Sequence, residues 1–232
     1  MAMDIATKTK RDRVPHTSAV FNGAGGKTRS FDAPNLGSLL ELPFGLSRPL
    51  TDEDVLAISA AYPYLRIERT AKGVLLIMAP AGNESSSRNF EVGLCVITWA
   101  KQNGTGVAYE SSAGFRLPNG ALRSPDVSWV HRERIRALAP EQRTPFYQLC
   151  PDFVVEIRSP SDGLAMLKRK MEEYIANGTA LGWLIDPDKR RVHVYRPDHK
   201  TVVLDRATEL RGDPELPGLV VPLAGVWDVD VW

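Results

Sequence analysis

The chain has 232 residues, 43% hydrophobic and 25% charged, which suits a soluble domain with a full core and a short extension. No apolar run reaches the roughly 18–20 residues of a membrane span, and no apolar stretch follows the basic N-terminal residues as in a signal peptide. Net charge is +1 but unevenly placed: residues 1–32 carry Lys8, Lys10, Arg11, Arg13, Lys27 and Arg29 against Asp4 and Asp32, leaving about −3 for the remainder. That balance argues against nucleic-acid binding through bulk charge, although a local basic patch can sit inside a neutral total. Cys95 and Cys150 lie in apolar contexts without metal-ligand spacing, so they read as buried thiols in a reducing, cytoplasmic protein.

Residues 1–48 are rich in Gly, Pro, Ser, Thr and Asn and show no sustained apolar period. They read as a flexible extension with room for a short helix at Leu36–Leu42. Within it, Asn22-Gly23-Ala24-Gly25-Gly26-Lys27-Thr28 imitates a phosphate-cradling loop, but Phe21 stands where that motif needs glycine and no helix signal follows Thr28. The domain proper is expected over residues 49–232. Thr51, followed by Asp52, Glu53 and Asp54, caps a helix that ends near Pro63. Strands Leu65–Thr70 and Val74–Met78 form a hairpin, with Arg66, Glu68 and Thr70 on one face.

Ser85-Ser86-Ser87 reads as the cap of a helix whose Phe90, Leu94, Cys95 and Ile97 form its apolar face, stopped by Asn103-Gly104. Strands Gly106–Ser111, Gly114–Leu117 and Leu122–Val130 follow, then a basic helix from His131 to Leu138 and a loop around Pro140 and Pro145. Phe153–Arg158 is strongly β, with Val154, Glu156 and Arg158 on one face. A helix bounded by Ser159-Pro160-Ser161-Asp162 and Asn177-Gly178 buries Leu164, Leu167, Met171, Tyr174 and Ile175. Lys168 and Lys170 flank that stripe, and Glu173 is expected to point away. Gly182–Asp186 and Arg191–Arg196 make a hairpin, and short strands and turns complete the chain.

An acid at a strand edge, a second acid inside an apolar strand and a lysine close behind are the parts of a metal-dependent phosphodiester hydrolase. Carboxylates hold one or two hard divalent cations that activate water and neutralise developing charge, and a lysine stabilises the transition state. Pro-Asp occurs four times, at Asp126, Asp152, Asp188 and Asp198. Asp126 is selected by its place on a strand some 30 residues before Glu156. The cation slot two residues after Glu156 holds Arg158, which is no practical proton acceptor.

Several blocks agree in order and spacing with one family. Glu156-Ile157-Arg158-Ser159-Pro160-Ser161-Asp162, Lys170 to Gly178, Gly182-Trp183-Leu184-Ile185-Asp186-Pro187, Phe115 to Gly120 and Ser124-Pro125-Asp126-Val127-Ser128-Trp129 resemble the Uma-two family of restriction-endonuclease-like proteins, within the PD-(D/E)XK nuclease superfamily. The resemblance covers about residues 50–200. It implies an α/β restriction-endonuclease-like core, a central mixed β-sheet flanked by α-helices. It also implies a divalent metal, Mg²⁺ or Mn²⁺, held by Asp126 and Glu156, and a catalytic lysine moved onto the following helix at Lys170. Glu68 and Arg158 are supporting positions. The expected activity is endonucleolytic cleavage of nucleic acid, DNA before RNA, with a homodimer serving to cut both strands. The alternative is a catalytically inactive module of the same fold that binds DNA or protein.

Overall fold

The computed structural model describes residues 18–22, 28–32, 40–42, 50–63, 65–78 and 81–229. They belong to two units, residues 1–37 and 38–232. In the first, β1 (Ser18–Asn22) and β2 (Thr28–Asp32) pair antiparallel, with Asn22 opposite Thr28. The intervening glycine-rich residues of the imitation phosphate loop lie outside the described residues.

The second unit opens with β3 (Leu40–Leu42), which pairs with β5 (Leu75–Met78). The short helix read over Leu36–Leu42 is therefore replaced at its end by a strand, and residues 36–39 lie outside the described residues. One or two helical turns are marginal alone, whereas a sheet edge supplies partners for the backbone groups. Helix α1 (Asp52–Ala61) starts as expected: the Thr51 side chain accepts from Asp54 N–H while Asp54 accepts from Thr51 N–H. Asp52 does more than complement the helix dipole, because it is buried and pairs with Arg69 at 2.7 Å. Strands β4 (Arg66–Arg69), β5, β7 (Phe115–Arg116) and β8 (Leu122–Arg123) complete a five-stranded sheet in the order β3-β5-β4-β8-β7.

Helix α2 (Asn83–Asn103) begins before the serines, after Gly82, and makes no side-chain cap bond; Gly104, in the left-handed region at φ 73°, ends it. Its inward stripe is Ser85, Val92, Val96, Trp99 and Ala100, whereas Phe90, Leu94 and Ile97 are exposed. The expected apolar face is thus the outer one. The helix carries two apolar stripes, and periodicity alone does not say which of them meets the sheet.

The central sheet has six strands in the order β13-β12-β11-β10-β9-β6, namely β13 (Val202–Asp205), β12 (Arg191–Tyr195), β11 (Leu181–Asp186), β10 (Phe153–Ile157), β9 (Val127–His131) and β6 (Gly106–Glu110). Strands β10 and β11 run parallel and the other neighbours antiparallel, so the sheet is mixed. The parallel pair needs a crossover, and α4 (Leu164–Ala176) supplies it. The segment read as one strand, Leu122–Val130, divides into β8 and β9 in different sheets. Pro125 lies at the break, where a residue without an N–H leaves no ladder bond unmade.

Helix α3 (Arg132–Ala137) follows β9, and β14 (Glu209–Arg211), β15 (Val220–Pro222) and α5 (Ala224–Trp227) close the chain. On one face of the central sheet Val155, Ile157, Trp183 and Ile185 pack with α2 and the C-terminal elements; on the other Val154 and Leu184 pack with Leu167, Met171 and Tyr174 of α4. Fully burying each such side chain is worth about 1.5–3 kcal/mol, which pins α4 and the side chains it carries.

Candidate active site

Glu156 lies on β10 in the apolar α4 face, where a lone carboxylate would be costly to bury. Two partners come from α4, one turn apart: Lys170 Nζ at 2.7 Å and the Tyr174 hydroxyl, which donates at 3.0 Å, both to Oε1. Met171 and Tyr174 are fully buried, so the helix is held in the register that aims Lys170 at the sheet. The same Nζ reaches Glu68 Oε1 at 2.8 Å. Glu68, from β4, also accepts from Arg123 at 3.1 Å and from the Ser124 N–H at 3.0 Å. Arg123 in turn donates to Glu173 at 2.6 Å, so Glu173 faces the site rather than solvent, against the expectation from helical phase. It is the reach of a long arginine from β8 that recruits it.

Asp126 sits just before β9 and beside β10. Its Oδ2 accepts the Ile157 N–H at 2.8 Å; its Oδ1 takes Asn89 Nδ2 at 3.2 Å and Arg66 Nη1 at 3.4 Å. Asp126, Glu156, Lys170 and Glu68 are thereby brought together from the residue before β9 and from β10, α4 and β4. Arg158 is not among them. Strand β10 ends at Ile157, and Arg158 turns to Asp186, at 3.1 Å, and to the Asp162 carbonyl. Its place two residues after Glu156 would have meant a shared face only had the strand continued.

Sequence reasoning did not single out Asn89, Arg66, Arg123 or Tyr174 as parts of this cluster. Arg66 was within reach, because it shares a strand face with Glu68. Asn89 was hidden by the inverted reading of α2: it stands four residues after Ser85 and three before Val92, on the stripe that turns inward.

Four carboxylates, of Asp126, Glu156, Glu68 and Glu173, face three cations, of Lys170, Arg123 and Arg66. Burial pushes the Glu156 carboxyl up, to about 7; Lys170 opposes the rise, while Asp126 and Glu68 add to it. Burial acts the same way on Glu68, but Lys170 and Arg123 outweigh it and hold that carboxyl below its usual range. Burial would lower Lys170, yet Glu156 and Glu68 overcome this and raise it, so it stays an ammonium. Cys150 is buried, its thiol pushed up to about 12 by burial, and Cys95 is half-buried. The Cys150 Sγ meets Thr179 Oγ1 at 3.2 Å and the Tyr174 carbonyl at 3.5 Å.

Asp126 and Glu156 carry the donor type that a hard divalent cation takes, while among the described residues no group of three or more His, Cys, Asp or Glu side chains is gathered as an ion site. The acids outnumber the cations there, and after burial itself the neighbouring Asp126 and Glu68 help to raise Glu156. Mg²⁺ commonly takes one or two carboxylates and completes its shell with water and phosphate oxygens.

These elements define an α/β fold of the nuclease type. A crystal structure from Anabaena variabilis, described as a putative nuclease belonging to DUF820, superposes with a TM-score of 0.64 over 77% of this chain and 98% of that one, at 22% identity. Residues 52–224 match the family Uma2, described as "Putative restriction endonuclease", and the chain belongs to that family. No curated protein matches it. No helix among the described residues is long and apolar enough to cross a membrane.

Proposed function

We propose that this chain is a divalent-metal-dependent endonuclease that hydrolyses phosphodiester bonds in DNA. Asp126 and Glu156 would hold Mg²⁺ or Mn²⁺, and Lys170 would be the catalytic cation. The observation that carries the reading is the convergence of these three side chains and Glu68, from four separate elements, on one buried polar cluster. A bound cation at such carboxylates lowers the pKa of a water and neutralises charge on the phosphate.

The chain's own residues supply the positioning. The Ile157 N–H and the Asn89 amide hold Asp126, and the Tyr174 hydroxyl orients Glu156. Glu68, itself fixed by Arg123 and Ser124, steadies Lys170 Nζ. As a persistent ammonium, Lys170 stabilises negative charge growing on the phosphoryl oxygens and does not act as the base. Cutting both strands of a duplex takes two sites, so this reading carries a homodimer on DNA, in the cytoplasm.

The test is cleavage of supercoiled plasmid and of single-stranded DNA by purified full-length protein in Mg²⁺, Mn²⁺ or EDTA, beside Glu156→Gln and Lys170→Ala. Metal-dependent nicking lost in both variants is the expected result. Nicking that persists in both would place the activity elsewhere.

A further inference from the structure

Among the described residues, five buried side-chain polar atoms have no hydrogen-bond partner: Arg66 Nε, Asn89 Oδ1, Ser128 Oγ, Trp129 Nε1 and His193 Nε2. Two of them, Arg66 Nε and Asn89 Oδ1, belong to the two side chains that hold Asp126 Oδ1. Such atoms are rare in folded proteins; Arg66 Nε is a donor, which water or an oxygen acceptor serves, whereas Asn89 Oδ1 is an acceptor, which a cation or its water can serve.

The amide of Asn89 cannot relieve itself by turning over. Its Nδ2 donates to Asp126 Oδ1 at 3.2 Å, and a flipped amide would set its oxygen against that carboxylate, acceptor against acceptor. Its direction is thus set by Asp126, and its place by the inward stripe of α2, whose Val92 and Val96 are fully buried. What remains is a neutral, hard oxygen on a rigid element, turned away from bulk water and beside the acid. Among the described residues, no group of three or more His, Cys, Asp or Glu side chains is gathered to hold an ion. Asp126 and Glu156 therefore have no third ligand of those types. An amide oxygen adds a donor that Mg²⁺ and Mn²⁺ accept, without adding a further negative charge beside two carboxylates.

We propose that Asn89 Oδ1 belongs to the cation site of Asp126 and Glu156, taking either the ion or a water of its hydration shell. The inference rests on the metal-dependent reading above and names a residue that reading does not require.

The test is Mn²⁺ binding to the full-length protein without DNA, read by the electron paramagnetic resonance of free Mn²⁺, with thermal unfolding in EDTA and in Mn²⁺ alongside. Asn89→Ala is expected to weaken Mn²⁺ binding by about tenfold or more. Asn89→Asp is expected to melt below wild type in EDTA, because a second carboxylate meets Asp126 where an N–H donor stood. It should recover in Mn²⁺, with affinity at or above wild type. A purely structural role for the N–H donor gives a different pattern, in which Asn89→Ala binds Mn²⁺ like wild type or Asn89→Asp binds no better than Asn89→Ala; either result overturns the proposal. If Glu156→Gln loses binding while Asn89→Ala keeps it, only this inference falls. If wild type takes up no Mn²⁺, the cation site falls with it.

Discussion

Glu156 and Arg158 stand two residues apart, yet each belongs to a different kind of charge cluster. Around Arg158 the charges reach the surface: the guanidinium meets buried Asp186 at 3.1 Å, reaches exposed Asp188 at 3.6 Å, and donates to the Asp162 carbonyl, tying the end of β10 to the loop that leads into α4. Around Glu156 three acids are buried together. Lys170 serves both Glu156 and Glu68, Arg123 also meets Glu68, and Arg66 meets Asp126. The first arrangement is what a fold uses to secure a strand end. The second buries several acids side by side at considerable cost, and that crowding, with burial itself, is what raises the Glu156 carboxyl.

The comparison breaks most readily at Lys170. Lys170→Met leaves Glu68 and Glu156 without their shared cation and is expected to lower stability by about 3–5 kcal/mol in urea unfolding. It should also reduce metal-dependent plasmid cleavage by about a hundredfold or more. A variant as stable and as active as wild type would mean that Lys170 is one more helix lysine.

The next effect is a pH dependence. The Glu156 carboxyl is raised to about 7 from an ordinary 4.5, so the folded state keeps a proton that the unfolded chain has lost. The stability contributed by this group is therefore full below about 4.5 and is lost as pH rises through about 7. Glu156→Gln cannot titrate, so its stability relative to wild type should rise between pH 5 and pH 8 in urea titrations. An unchanged gap across that window would mean that burial does not raise the Glu156 carboxyl.

Arg158→Ala sharpens the contrast from the other side. It strands Asp186, which is buried, and is expected to cost about 1–3 kcal/mol. Its cleavage rate, measured under conditions where the variant is folded, should stay within about threefold of wild type, since Arg158 touches none of the site carboxylates. A loss as deep as that of Lys170→Met would return Arg158 to the site. The smallest effect is expected at Lys168, two residues before Lys170 on the same helix. Lys168→Ala should change stability by no more than about 0.5 kcal/mol and leave cleavage unaltered in the plasmid assay.

Much of the frame was legible in the residues. The alternation of Phe153, Val155 and Ile157 against Val154 and Glu156 marked β10, and the capping box at Thr51 marked α1. The spacing of Leu167, Met171 and Tyr174 marked the buried stripe of α4. These patterns are local: period two, period 3.6 and a cap bond are written within a few residues. Reading failed where two local solutions were equally good. On α2 the stripe of Phe90, Leu94 and Ile97 is as apolar as that of Val92, Val96 and Trp99, and only the sheet beneath decides which is buried. Glu173 and Arg158 were misdirected because helical and strand phase were extended past the point where a long-range partner, Arg123 or Asp186, or a strand end took over.

By itself the sequence determined most of the order of strands and helices between α1 and β12, the α/β class and the candidates Asp126, Glu156 and Lys170, through short-range periodicity and the family pattern they share. Only the tertiary structure decided what surrounds them. Glu68, Arg123 and Arg66 come from the smaller sheet and Asn89 from α2, at separations of 37 to 102 residues in the hydrogen bonds that bind them to the site. The charge state of a buried carboxyl depends on every group packed against it. Which groups those are is a property of the folded chain and of no single stretch of it.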